Sequence, residues 1–285
     1  MTIFDIHTHL GSKPEILQGT ADGLIASMDQ AGIDRALVFA GTVNGCTNAV
    51  AMQQADLYPE RLRAVAAVSP LEPECSPDDV VGWHQVGRIA AVKFYPGYEH
   101  FFPHGDCVRP YLEAMARNGI PAIFHAGDLF RNIAGGRLRF CHPLEIDDLA
   151  VALPTLKIII AHCGWPFVRE TALVCQKNVN VYADFSGFTY GGFTGTATTD
   201  FKEMLAQFRQ VCPDSAKIMF GSDWPISDQT SYVRTAREAL AAVYLSGGGR
   251  SPPPDVLAAR REIGGRIMAG NAARVFGLEK WVFGP

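Results

Sequence analysis

The sequence predicts an α/β fold, a closed (β/α)8 barrel with extra C-terminal helices, on three observations. Short β-branched apolar runs recur along the whole chain. Most of them are followed by an amphipathic stretch with helical spacing. No Gly-x-Gly-x-x-Gly follows the first run, which counts against the runner-up, an open doubly wound sheet.

The candidate strands are 2–8 (TIFDIHT), 35–40 (RALVFA), 62–69 (LRAVAAVS), 89–95 (IAAVKFY), 120–126 (IPAIFHA), 156–162 (LKIIIAH), 179–185 (VNVYADF) and 216–222 (AKIMFGS). Several are nearly continuous apolar runs, as expected of strands covered on both faces. Helices are expected between them. Over 21–32 the apolar Leu24, Ile25 and Met28 share a face, and Gly32 offers a stop. The stretch 47–59 should end at Tyr58, because Pro59 cannot continue it. In 106–119 Val108, Leu112 and Met115 repeat the spacing up to Gly119, and 143–153 opens on Pro143, with acids in its N-terminal half. The segments 199–211 and 231–245 follow the same pattern. The Gly/Pro-rich 245–255 reads as a loop ahead of C-terminal helices within 255–276. There is no internal repeat, and residues 1–285 read as one domain.

Composition narrows the function. The chain has 285 residues, 48% of them hydrophobic and 19% charged, with a formal charge of -4. That acidic balance and the absence of a Lys/Arg-rich run argue against nucleic acid. No apolar stretch is long enough for a bilayer, and no secretory leader pattern opens the sequence. The seven cysteines are scattered without a CxxC pair, so reduced thiols and a cytoplasmic protein are expected. Cys163, beside His162, reads as a small buried apolar residue.

Chemistry collects at strand ends. On a strand, positions i and i+2 share a face, so His7 and His9 of FDIHTHLG would project together, as at many transition-metal sites. A surface hairpin carrying two histidines is the bland alternative. His125 ends the fifth run, His162 the sixth and Asp223 the eighth, while Lys93 lies near the end of the fourth. In a barrel these ends converge on one mouth. So many buried ionisable groups demand partners, and a metal ion is the economical one. His84, His100, His104 and His142 fall in helix or loop contexts.

The ordered set DIHTHLG, VKFYP, IFHAGD, HPLEIDDLAVALPTLKIIIAHCG, FGSDWP and IMAGNAARVFGL resembles the amidohydrolase superfamily, in particular the amidohydrolase 2 branch. That branch holds TIM-barrel metal-dependent hydrolases, lactone hydrolases and decarboxylases of the aminocarboxymuconate-semialdehyde type. The resemblance implies metal ligation by His7, His9, His125 and Asp223, with His162 at the metal or just beyond it. In binuclear relatives a strand-four lysine is carbamylated and bridges two ions. Lys93 holds that position, but an ammonium pairing with Asp223 or with a substrate carboxylate, beside one ion, is the favoured reading. The mixed nitrogen and oxygen donors suit Zn²⁺, with Mn²⁺, Fe²⁺ or Co²⁺ as alternatives.

The resemblance implies catalytic roles for Asp223, His162 and Lys93. Asp223 would move the proton of an attacking water to the leaving group. His162 would hydrogen-bond the carbonyl oxygen or the water, or activate water for protonation of carbon in the decarboxylase variant. Tyr95, Trp165 and Trp224 could shape the pocket or simply pack. The long segment 125–142 offers Arg131, Arg137 and Arg139 to a small anionic substrate, or is a solvated loop. The expected activity is hydrolysis of a small carboxylated lactone, ester or amide. Non-oxidative decarboxylation of an unsaturated or aromatic acid is the alternative, and a non-catalytic metal-bound barrel the third. Intact Asp223 and His162 count against the last, and the lack of a Gly-rich phosphate loop discounts a kinase-like protein. A homo-oligomer stays open.

Overall fold

The computed structural model describes residues 1–13, 17–41, 45–129, 135–188, 199–244 and 254–284. Residues 245–253 of the expected 245–255 loop, and Arg131, lie outside them, while Pro254 and Asp255 open a helix.

The eight expected runs form one parallel sheet: β1 (Phe4–His9), β4 (Arg35–Phe39), β5 (Leu62–Ala67), β6 (Ile89–Phe94), β7 (Ala122–Phe124), β8 (Ile158–Ile160), β9 (Val181–Asp184) and β10 (Ile218–Met219). Neighbours in sequence are neighbours in the sheet. The ring is brought round by bonds between β1 and the segment just beyond β10: Ile6 N–H to Phe220 O (3.2 Å), Asp223 N–H to His7 O (2.8 Å) and His9 N–H to Trp224 O (2.7 Å). A small antiparallel hairpin, β2 (Gly11–Lys13) with β3 (Leu17–Gly19), follows β1. It was not anticipated from the sequence.

Helices alternate with the strands: α1 (Ala21–Ala31), α2 (Asn48–Asp56), α3 (Pro77–Gln85), α4 (Arg109–Asn118), α5 (Glu145–Ala152), α6 (Val168–Lys177), α7 (Thr199–Val211) and α8 (Gln229–Tyr244). In α1, Leu24 and Met28 are buried, Thr20 Oγ1 accepts from Gly23 N–H, and Gly32 ends the helix at φ 70°. The stop at Pro59 acts early, since α2 ends at Asp56. Two helices, α3 and α6, escaped the periodicity argument. For α3 a local signal was present: Ser76 and Asp79 form a reciprocal capping box with Pro77 between them.

The strands are shorter than the apolar runs, most clearly at β7, β8 and β10. Their last residues leave the ladder and turn at the mouth. His162 and Cys163 lie in such a turn at φ 57° and 47°, and Asp223 at φ 67°. These are the non-glycine residues with positive φ among those described, and all three cluster at the C-terminal rim. Strain of this kind persists where the surroundings enforce it.

Two apolar layers hold the barrel. One lies between strands and helices, with Leu24, Val38, Val92, Leu112 and Met115 among its members. The other fills the barrel: Phe4, Ile6, Leu37, Phe39, Val65, Ile123, Ile159 and Met219. After α9 (Pro254–Gly265), its floor is closed by α10 (Asn271–Phe276) and α11 (Glu279–Phe283), which contribute Ala272, Phe276 and Val282. Trp281 packs edge-on to Phe4 at 5.7 Å, and its ring faces the guanidinium groups of Arg35 and Arg63 at 5.5 and 5.2 Å.

One irregularity matters for the site. Along β1 the pairing runs Asp5 to Ala36 and then Thr8 to Val38, so three steps on β1 oppose two on β4. This bulge changes the alternation. Phe4 and Ile6 fill the barrel, yet so do the rings of His7 and His9, which sit 4.5 and 5.3 Å from that of Phe39. A regular strand would have turned the histidines away from the face that Phe4 and Ile6 occupy.

Candidate active site at the barrel mouth

The mouth gathers the expected residues. His7, Lys93, His125, His162 and Asp223 are buried, and His9 is the most exposed of the six at 9%. Ring centroids stand 5.2 Å apart for His7–His9, 4.7 Å for His7–His162 and 5.2 Å for His125–His162. Asp223 Oδ1 is 3.1 Å from His9 Nε2 and 3.6 Å from His7 Nε2. Close approach of β1 to β10 depends on Gly221, where a Cβ would meet His7 Cβ at 2.7 Å.

His7, His9 and Asp223 each offer a ligand atom, and these atoms lie within 4.8 Å of one another. His7 Nε2 and both carboxylate oxygens of Asp223 are buried without a hydrogen bond. Buried polar atoms are rarely left so unless something else binds there. His125 stands next to His162, but its ligand atoms fall outside this tight group. Its Nε2 lies 2.9 Å from Asp128 O. An Nε2–H donated there leaves Nδ1 as the lone-pair nitrogen.

Burial lowers the pKa of His7 to about 3, with the Lys93 ammonium adding to the effect. Burial also lowers His162, and lowers His125 well below its ordinary value, with His162 and Lys93 next in effect. These imidazoles are therefore neutral near pH 7, as ligands must be. For Asp223 burial acts upward. The close His9 imidazole, with His162 and His7 beyond it, outweighs burial and holds the carboxyl below the usual range.

Lys93 is fully buried, and its Nζ has no hydrogen-bond partner, so the expected pairing with Asp223 is not made as a hydrogen bond. The ammonium lies 5.2 Å over the Phe39 ring and 5.4 Å over the Tyr95 ring. Burial pulls its pKa down to about 8 against the opposing pull of Asp184 and Asp223.

Two residues at the end of β9 were missed from the sequence. Asp184 Oδ2 accepts from His7 Nδ1 at 2.9 Å, and Oδ1 accepts the His162 and Ser186 N–H groups at 3.0 and 3.1 Å. Ser186 Oγ lies 2.6 Å from Asp184 Oδ1, 2.8 Å from His162 Nδ1 and 3.1 Å from His7 Nδ1. A carboxylate holding the far nitrogen of a ligating histidine sets its tautomer and direction. The signal was legible: VYADFS carries an acid and a hydroxyl at the end of an apolar run, the rule that found Asp223. A second network braces β1 to β10. Asp5 accepts from the His7 and Ser222 N–H groups, from Ser222 Oγ and from Gln229 Nε2.

The other expectations sort cleanly. His84 and His100 bond backbone carbonyls, His104 pairs with Glu145, and His142 packs on Phe167. Tyr95 donates its hydroxyl to Ala40 O. Trp224 lies against Gly19, and Trp165 packs against the outer apolar layer. Arg137 and Arg139 are exposed, with Arg139 over the rings of Phe102 and Phe140.

Solved structures share this architecture. An uncharacterised TIM-barrel protein from Bordetella bronchiseptica is 18% identical at a TM-score of 0.69, covering 98% of this chain and 99% of that one. A probable 2-pyrone-4,6-dicarboxylic acid hydrolase from Acinetobacter baumannii, solved with citric acid, is 16% identical at 0.67, covering 97% and 100%. A 5-carboxyvanillate decarboxylase from Novosphingobium aromaticivorans, solved with manganese and a nitrobenzoic acid, is 14% identical at 0.67, covering 97% and 96%. At such identities the likeness establishes the fold, a TIM barrel. A comparison with curated protein sequences finds no match. The amidohydrolase model matches residues 5–278, from the start of β1 to the C-terminal helices. With that match over nearly its whole length, the chain belongs to the amidohydrolase family, in its amidohydrolase 2 branch.

Proposed function

We propose that the protein is a metal-dependent hydrolase acting on a small carboxylated lactone, ester or amide. One observation carries the reading: His7, His9 and Asp223 converge with His7 Nε2 and the Asp223 oxygens buried and unsatisfied. A divalent cation fits that donor set, with Zn²⁺ favoured and Mn²⁺ the ion bound by a decarboxylase of the same fold. His7, His9 and Asp223 would hold it, and His125 would complete the set through Nδ1. A single ion is favoured, and a second would require carbamylation of Lys93. When bound, the cation supplies Lewis acidity that polarises a substrate oxygen and activates water.

The chain's own groups do the rest. Asp223 accepts a proton from the water and returns it to the leaving group. His162, neutral at pH 7, hydrogen-bonds the attacking water. The unpartnered Lys93 ammonium holds a substrate carboxylate, since a buried cation requires an anion. The substrate is thus small and anionic. Nucleic acid and membrane are not partners in this reading. Among the described residues no helix is long and apolar enough to cross a membrane.

Non-oxidative decarboxylation of an unsaturated or aromatic acid is the second reading, favoured by solved decarboxylases of this fold. In it His162 would activate water for protonation of carbon. The test is a panel of carboxylated lactones, esters and amides with unsaturated and aromatic acids, offered to metal-loaded protein and scored for hydrolysis product and for CO₂. Hydrolysis without CO₂ supports the first reading, and CO₂ release the second. No turnover across the panel, with metal bound, counts against both.

A further inference from the structure

The hydroxyl of Ser186 touches two imidazoles and one carboxylate but has a single hydrogen to give, and that shortage decides which nitrogen of His162 carries a proton. Ser186 is fully buried, so no solvent supplies a substitute partner, and its backbone oxygen stands a long 3.4 Å from His162 Nδ1. Asp184 Oδ1, 2.6 Å away, already accepts the backbone N–H groups of His162 and Ser186, so the oxygen that faces the hydroxyl is an acceptor. The hydroxyl hydrogen must therefore point at Asp184, because two lone pairs at that distance would repel. Ser186 Oγ is then left as an acceptor, and His162 Nδ1 at 2.8 Å must donate to it. His7 Nδ1 donates to Asp184 Oδ2 at 2.9 Å and also approaches Ser186 Oγ at 3.1 Å.

We infer that Ser186 is a positioning residue that locks His162 in its Nδ1–H tautomer, so that Nε2 presents a lone pair at the reacting centre. The inference rests on the hydrolase reading and sharpens it. Neutral His162 can then accept a hydrogen bond from the attacking water through Nε2, and cannot donate to a substrate carbonyl. Of the two roles open to it, it takes the one that holds the water. Asp184 alone suffices for His7, so the two histidines depend on different residues for the same tautomer.

The inference is tested by long-range ¹H–¹⁵N correlation spectra of ¹⁵N-labelled full-length protein, zinc-loaded and after chelation, with His162→Asn used to assign the His162 signals. Wild type should show His7 and His162 protonated at Nδ1. In Ser186→Ala, His7 should keep that pattern while His162 shifts toward Nε2–H or a mixture. Where a turned-over panel compound is in hand, kcat for Ser186→Ala should fall about 10- to 100-fold, with KM and metal content little changed. An Nε2–H tautomer of His162 in wild type overturns the inference, and the wild-type spectrum decides this even if the variant fails to fold. An unchanged His162 signal in a folded variant overturns it too. Tautomers are read without substrate, so a failed substrate panel would sink the hydrolase reading and leave this result standing.

Discussion

His9 Nε2 lies 3.1 Å from Asp223 Oδ1, a contact between the first strand of the barrel and the turn after the last. It exists because the backbone bonds that close the ring run through the same residues, His9 N–H to Trp224 O and Asp223 N–H to His7 O. Closing the barrel and assembling the ligand set are one event.

Metal content follows from this arrangement. Protein purified without chelator should carry about one equivalent of divalent metal per chain, as a catalytic site with three or four ligands does. The double variant His7→Ala, His9→Ala should carry almost none. Elemental analysis checks both, and full occupancy in the double variant would refute the ligand assignment. Two equivalents in wild type would point to a carbamylated Lys93.

Asp223→Asn tests proton handling. The replacement is nearly isosteric, so folding should survive. Turnover should drop by a factor on the order of 100 to 10,000 if Asp223 supplies general acid–base catalysis. Steady-state rates at matched metal occupancy measure this. An equally fast variant that keeps its metal would remove Asp223 from the mechanism.

Lys93→Met should trade activity for stability. Burial holds the Lys93 pKa near 8, below its unfolded value of 10.5. Below pH 8 the ammonium is charged in both states, so the full cost of burying it is present, on the order of 3 kcal/mol. Between pH 8 and 10.5 the unfolded chain keeps the proton that the folded one has lost, and stability rises. Methionine removes the cost and the slope together. Metal-free Lys93→Met should therefore melt higher than wild type at pH 7 while losing turnover of carboxylated substrates when reloaded. A lower melting temperature would show that the ammonium is compensated within the fold.

The apolar runs show in the sequence where the barrel strands lie, and the rule that chemistry sits at their C-terminal ends picks out His7, His9, Lys93, His125, His162 and Asp223. Asp184 and Ser186 went unread, although the same rule reaches them, because an acid and a hydroxyl support other residues instead of announcing a ligand motif. The bulge in β1 was unreadable for a deeper reason. It is a relation between β1 and β4, and the alternation of side chains along FDIHTH alone contains no trace of it. Helix α6 was legible, since Val168, Ala172 and Cys175 keep helical spacing, and went unread.

Asp5 gives a pH signature apart from catalysis. Burial raises its pKa from 3.8 to about 6, outweighing its bonds to Ser222, Gln229 and His7. Between those values the folded state holds a proton that the unfolded state has released, so stability falls as pH rises through the window and stays lower above it. In metal-free Asp5→Asn that part of the slope should vanish. Urea midpoints at several pH values between 4 and 6.5 measure it. Identical pH dependence in wild type and variant would show that Asp5 is ionised throughout.

The extra residue in β1 splits one strand between two masters. Phe4 and Ile6 answer to the floor of the barrel, where Phe276 and Val282 seal it, while His7 and His9 answer to the mouth. Out of phase by one residue, the two halves can change separately. Apolar replacements near the floor can drift together with the C-terminal helices without disturbing the histidines, and the mouth can be retuned for another substrate over an untouched core. The strand's count is what keeps the two apart. Deleting Ile6 or His7 would cut three steps on β1 to two, match β4 step for step and tie floor and mouth into a single alternation.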